Sequence, residues 1–281
     1  MGTSKSYGGP KRLDSLLPPW ADEPLELPPA LDPDAPAAES PPAPAEPAGL
    51  PDPWDEPRRI VGRLARSGLR GRAARGRLRS ITSGAVRALG GASQATRSSR
   101  AGRSTALALG SFLGTVATRG VAEAARRFGV AEFLGQGVEA LLAGLAGVLA
   151  PDAALMEDAI AAEALQETLA ALFDEYGANE AGIGALDRLD ETGVRRTMER
   201  YLEEYIFRRV LHAFSERLEA SVPTGERYAQ VEADLRDYVR TAVEVDFGAA
   251  DLRSLDWQSR PARELIDRIF EEGYGMLEAA T

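Results

Sequence analysis

The sequence predicts an all-α protein. A C-terminal domain of about six helices at 104–281 follows a long N-terminal arm, Pro-rich and acidic over 1–57 and Arg/Gly-rich over 58–103. Three observations carry this reading. Fifteen of the 18 prolines fall within residues 1–57, and proline removes the backbone donor that helix and sheet both need. From residue 104 onward apolar residues recur with helical spacing. Strand-type alternation is weak; its best instance, Val243-Glu244-Val245-Asp246-Phe247, is read as the end of a helix.

Residues 1–57 have too few large apolar side chains to build a core and are expected to be disordered. Runs such as Pro41-Pro42-Ala43-Pro44 favour extended polyproline II. Two Pro-Trp dipeptides interrupt the segment, at Trp20 and Trp54. A tryptophan exposed in such a tail is best removed from water, either in a partner's pocket or in a groove of this chain's own domain. Residues 58–103 hold 13 arginines and no acidic residue. Ile60 and Leu64, then Leu78, Ile81 and Leu89, suggest short helical turns. The interspersed glycines each cost about 1 kcal/mol in a helix, so a marginally helical basic linker is expected.

Six helices are expected beyond it, at 104–127, 130–149, 152–176, 193–220, 225–245 and 261–279. The fourth is the clearest. Val194, Met198, Leu202, Ile206, Val210, Phe214 and Leu218 recur every four residues, with Tyr201, Tyr205 and Leu211 alongside. The fifth repeats the pattern with Tyr228, Val231, Leu235, Tyr238 and Val239, and Thr224 is placed to cap it. Asp152 is placed to cap the third. The most apolar stretch, 130–150, carries Glu132, Gln136, Glu139 and four glycines. It reads as a buried or interfacial helix rather than a membrane span.

The net charge of −10 conceals an acid–base–acid pattern. Residues 1–57 carry 11 acidic and 3 basic residues, and residues 104–281 carry 32 acidic residues and 17 arginines. The basic block between them is expected to meet an acidic partner, within the protein or outside it. Arg58, Arg59, Arg63, Arg66, Arg70, Arg72, Arg75, Arg77 and Arg79 are the candidate anion-binding residues. Aromatic residues are missing from 58–103, which removes the stacking part of single-strand recognition. The chain has no cysteine, which excludes disulfides and thiol nucleophiles. Lysine is confined to Lys5 and Lys11 while alanine and arginine abound, the mark of a GC-rich bacterial genome. The first twenty residues lack the continuous apolar run of a signal peptide, and a cytoplasmic location is expected.

No catalytic site, metal site or cofactor is expected. Glu163 and Glu167 share a helix face at i, i+4. The four-helix di-metal pattern, however, requires Glu-x-x-His repeats, and the single histidine, His212, has no such partner. Gly182-x-Gly184 is too short for a phosphate loop, and neither a Walker motif nor G-x-S-x-G occurs.

The N-terminal twenty residues look built to be held by another protein. Gly2 follows the initiator methionine. MGTSKS fits the N-myristoylation pattern, but the bacterial composition argues for an exposed glycine amine instead. Thr3, Ser4, Ser6, Tyr7, Gly8, Gly9 and Pro10 follow, then the apolar Leu16-Leu17-Pro18-Pro19-Trp20. The opening GTSKSYGGP with LLPPWA at 16–21 resembles the start of the QatB family. So does APDAALMEDAIAAEALQETLAAL at 150–172, with a D/E-x-A-I-A-x-E-A core. The resemblance implies a non-enzymatic component of a bacterial anti-phage system that also holds a P-loop ATPase, a QueC-like enzyme (QatC type) and a TatD-like nuclease. It further implies that Gly2 is the substrate of the QueC-like partner. Thr3 to Pro10 would thread into that enzyme's active site, and Leu16 to Trp20 would anchor the peptide. A nucleic-acid-binding subunit acting through 58–103 is the alternative, and an independent enzyme a third.

Overall fold

The computed structural model describes residues 52–150, 154–222 and 224–279. Among them are eleven α-helices and no strand: α1 (Asp55–Arg66), α2 (Arg75–Ala88), α3 (Ala92–Ser98), α4 (Arg100–Arg119), α5 (Val121–Arg127), α6 (Val138–Leu149), α7 (Met156–Glu175), α8 (Ala178–Ala181), α9 (Glu191–Glu219), α10 (Gly225–Ala242) and α11 (Arg260–Ala279). Short 3-10 turns lie at Gly71–Ala73, Ala131–Phe133 and Ile183–Arg188.

The four-residue stripe seen in the sequence becomes α9, a 29-residue axis roughly 43 Å long at 1.5 Å per residue. Its stripe, Val194 to Leu218, is buried, and so are Tyr201, Tyr205 and Phe207. More than one face is therefore covered: α1, α4, α7, α10 and α11 all pack against it. The helix starts two residues earlier than its apolar pattern suggests, because the Asp190 carboxylate accepts the Gly193 N–H at 2.8 Å. Thr224 caps α10 as its position predicts, accepting the Arg227 N–H at 3.2 Å.

Residues 58–103 are more than the marginally helical linker that their glycines suggest. They form α1, α2, α3 and the start of α4, all part of the packed body that spans 51–281. Val61, Leu64 and Ala65 of α1 and Leu78, Ile81, Ala85 and Val86 of α2 are buried in the common core. Some glycines are the reason rather than the obstacle. A Cβ at Gly84 would lie 2.6 Å from the Pro57 ring, so α1 and α2 approach only because it is missing. Arg227 of α10 then ties α1 down. Its guanidinium is buried and donates to the carbonyls of Leu64 at 2.8 Å and Ala65 at 3.1 Å in the last turn of α1, and of Leu69 at 2.9 Å in the connection that follows. The Trp54 ring sits edge-on to Phe214 of α9 at 5.8 Å, which realises the intramolecular reading for this tryptophan.

Further differences from the sequence expectation have local causes. The segment 104–127 breaks into α4 and α5 at Gly120, which has φ 83°, and the Asp187 carboxylate accepts the Val121 N–H at 2.7 Å. The apolar stretch 130–150 is divided by Gly137, φ 101°, into a 3-10 turn and α6. No described helix is long and apolar enough to cross a membrane. α7 begins at Met156, where the Asp158 carboxylate turns back to the Leu155 N–H at 2.8 Å; Asp152, the expected cap, lies outside the described residues. α10 ends at Ala242, three residues short. Val243 and Phe247 leave the helix but stay buried, with Arg195 over the Phe247 ring at 5.8 Å.

Candidate functional site

Gly2, the peptide Thr3 to Pro10 and the Leu16 to Trp20 anchor all lie outside the described residues. The arginines of the basic block lie within them, and the fold sorts them by charge. The backbone of α1, the 67–74 connection and α2 turns its apolar side to α9, α10 and α11. Arg58, Arg59, Arg63, Arg66, Arg70, Arg72, Arg75 and Arg79 are left exposed, with Arg77 half-buried. Arg58 pairs with Asp52 at 2.7 Å, and Arg77 donates to the Arg63 carbonyl at 3.2 Å. Arg59, Arg63, Arg66, Arg70, Arg72 and Arg75 have no ion pair among the described residues. The result is a cationic face on an otherwise acidic body.

The D/E-x-A-I-A-x-E-A core at 157–164 lies on α7 and is spent inside the fold. Ser99 breaks the chain between α3 and α4 (φ −90°, ψ 51°), exposing the first amides of α4. The Glu157 carboxylate accepts two of them, from Ala101 at 2.8 Å and Gly102 at 2.9 Å, and the Tyr205 hydroxyl at 2.7 Å. A carboxylate there also meets the positive end of the helix dipole. Arg209 of α9 donates to the Tyr205 hydroxyl at 3.2 Å, to the Ala95 carbonyl at 3.3 Å, to Ser98 at 2.6 Å and to the Ser99 hydroxyl. Tyr274 of α11 meets Ser99 at 3.1 Å, and the Tyr201 hydroxyl donates to the Gly102 carbonyl at 3.0 Å. Burial pushes the Tyr201, Tyr205 and Tyr274 hydroxyls up, so they stay protonated and serve as donors. Gly102 has no room for a side chain, since a Cβ would lie 2.5 Å from the Tyr205 ring. This cluster joins α3, α4, α7, α9 and α11. Of its members the sequence singles out Glu157, through the motif, and Tyr201 and Tyr205, beside the α9 stripe; Ser99 and Arg209 carry no such signal, since the contacts that join them to other helices come from far along the chain.

The carboxylate pair Glu163 and Glu167 is turned outward and shared by Arg208, at 2.7 and 3.9 Å. Arg208 also pairs at 2.7 Å with Glu204, which is buried and whose carboxyl is raised by that burial. Arg236 crosses from α10, 3.6 Å from Glu204 and stacked over Phe207 at 4.6 Å. Beside them burial pushes the Glu203 carboxyl up to about 7, against the pull of Arg240 at 3.8 Å. His212 is exposed. No group of three or more His, Cys, Asp or Glu among the described residues is placed to hold a metal ion.

No curated protein and no solved structure matches the chain significantly. A family model does, over residues 90–277, and its description is "Qat anti-phage system associated protein QatB". The match begins at the end of α2 and takes in the Glu157 cluster, α9, α10 and nearly all of α11, while leaving the N-terminal peptide and most of the arginine face outside. With two thirds of its length matched, the chain belongs to the QatB family.

Proposed function

We propose that this component of a Qat anti-phage system is non-catalytic and presents its N-terminal glycine to a QueC-like enzyme. The observation that carries the reading is the tail itself: Gly2 after the initiator methionine, the small Thr3, Ser4 and Ser6, the Gly8-Gly9-Pro10 turn residues and an apolar Leu16 to Trp20 anchor. Small side chains suit a narrow channel, and an α-amino group with a pKa near 7.7–8.0 is substantially neutral and nucleophilic just above pH 7. Once Met1 is removed, the Gly2 amine attacks the acyl carbon of an acyl-adenylate formed by the partner from ATP and a deazaguanine carboxylic acid. An amide bond forms, AMP leaves and the amine gives up a proton. The helical body supports this reading by the way its polar groups are used. Glu157, Arg209 and Arg227 hold helices together, so the body reads as a scaffold for the other components of the system, among them the QueC-like enzyme, the ATPase and the nuclease.

Intact mass of the chain co-expressed with the QueC-like enzyme tests it. The expected result is a mass gain equal to the acyl group, mapped to Gly2 and abolished by deleting residues 2–10. An unmodified N-terminus beside an active enzyme overturns it.

The exposed arginine face supports a second reading, in which the chain binds nucleic acid through 58–103. Its signature is affinity that falls steeply with salt.

A further inference from the structure

A second cationic feature lies outside the arginine block and inside the family-matched region. Two adjoining cavities of about 430 and 400 Å³ open between α4, the end of α5 and the 253–258 loop. They share Ser111, Arg127, Trp257 and Gln258. Each falls within the roughly 300–1,000 Å³ typical of small-molecule sites.

The loop is held by shape. Trp257 is buried and donates its indole N–H to the Leu252 carbonyl at 3.2 Å. A Cβ at Gly110 would lie 2.5 Å from its ring, and one at Gly114 would lie 3.0 Å from the Arg253 carbonyl. The two glycines of α4 therefore let the loop seat directly on the helix.

The two cavities differ in character. One is polar, with Arg119, Arg127 and Arg253 around Thr115 and Ser254. The other is apolar, with Leu107, Ala108 and Phe128, and Arg263 at its rim. Phe128 is fixed edge-on against Phe112 at 5.6 Å. Of the acids nearby, Glu123 pairs with Arg126 at 2.7 Å and Asp251 with Arg253 at 3.3 Å, while Asp256 lines the polar cavity and accepts the Gln258 backbone N–H at 3.1 Å. Arg119 and Arg127 have no ion pair, and the Ser111 hydroxyl and Gln258 side-chain amide have no hydrogen-bond partner, among the described residues. Four unpartnered donors thus converge on one cleft in a region whose net charge is strongly negative.

We propose that this cleft binds a nucleotide. Its phosphates lie between Arg119 and Arg127 with Ser111 donating, and its base lies on the Leu107–Phe128 ledge. Guanidinium groups suit phosphate through paired N–H donors, and an aromatic ledge accepts a base face of any identity. The arrangement needs both lobes, which separates a nucleotide from a bare anion.

Isothermal titration calorimetry of the full chain with ATP, adenosine, pyrophosphate and a single-stranded decanucleotide tests the proposal. The expected results are saturable binding of ATP, weaker binding of pyrophosphate, none of adenosine, and at least a tenfold loss of ATP affinity in Arg119→Ala/Arg127→Ala. Both arginines are exposed and unpaired, so this variant keeps its fold, which circular dichroism verifies. Arg70→Ala/Arg72→Ala, on the other cationic face, leaves ATP affinity unchanged. Silence with millimolar ATP overturns the proposal. So does binding that survives the Arg119/Arg127 change, and so does binding of the oligonucleotide alone.

Discussion

The α3–α4 junction and the outer face of α1 and α2 use charge in opposite ways. At the junction one carboxylate, Glu157, takes two helix amides and a tyrosine hydroxyl, and Arg209 closes the cluster from the other side. On the α1–α2 face at least six arginines point to solvent with no ion pair among the described residues. The first arrangement holds the fold and leaves nothing free for a ligand. The second contributes little to the fold and is available to a partner. In this chain residue type does not distinguish the two roles; engagement does.

The sharpest way to break the contrast is Glu157→Ala. It leaves two amides at the start of α4 and the Tyr205 hydroxyl without their acceptor, and hydrogen bonds to a charged group are worth about 1.5–3 kcal/mol. A loss of roughly 3 kcal/mol in urea unfolding is expected, with Glu157→Gln retaining part of it. A change under 0.5 kcal/mol would show that the junction is as dispensable as the surface.

Arg227→Met comes next. It keeps the aliphatic stem but takes the donor from the Ala65 and Leu69 carbonyls, while Leu64 keeps Ser67, at an expected cost of about 2 kcal/mol. Because α1 is tied to α10 at this point, limited proteolysis should cut first within 51–90. Cleavage spread evenly along the chain would mean that α1 is held mainly by its apolar side.

The same contrast explains what could be read from the sequence. α9 was legible because its partners matter less than its own four-residue stripe, and Thr224 because a cap acts three residues away. The all-α class followed from such local signals. The place of 58–103 in the core was not legible. Gly84 looks like a helix breaker until Pro57 is seen 2.6 Å from where its Cβ would be, and Arg227 is 163 residues from the carbonyl it caps. The Glu157 motif was visible as a pattern, but its meaning needed α4 and α9 beside it. The cleft at Arg119 and Arg127 left no sequence signal, since its lining comes from 107–128 and 253–263.

Glu203 provides an intermediate case, a half-buried carboxylate whose charge is costly. Burial raises its carboxyl to about 7, so between the ordinary carboxylate range and pH 7 the folded chain binds more protons than the unfolded one. Its contribution to stability is present at low pH and is lost as pH rises through 7. Glu203→Gln removes that loss. The variant should gain on the order of 1 kcal/mol at pH 8 and nothing near pH 4. Glu199, Glu204, Arg200 and Arg240 act on the same carboxyl, so the pH-dependent difference between variant and parent reports Glu203 together with its coupling to them. A gain independent of pH would assign the effect to packing instead.

The arginine face should give the smallest effect on stability and a large one on binding. Replacing Arg70, Arg72 and Arg75 with serine removes three exposed, unpaired cations, and surface changes of this kind stay within about 0.5 kcal/mol. Affinity for duplex DNA, if the face binds it, should weaken alike for every sequence. The slope of log affinity against log salt should fall by about 0.9 for each phosphate no longer neutralised. A stability loss comparable to that of Glu157→Ala would erase the distinction between the two regions. An unchanged salt slope would take the face out of nucleic-acid binding and leave it to an acidic protein surface, whose recognition would show instead as charge-dependent capture of the other Qat components.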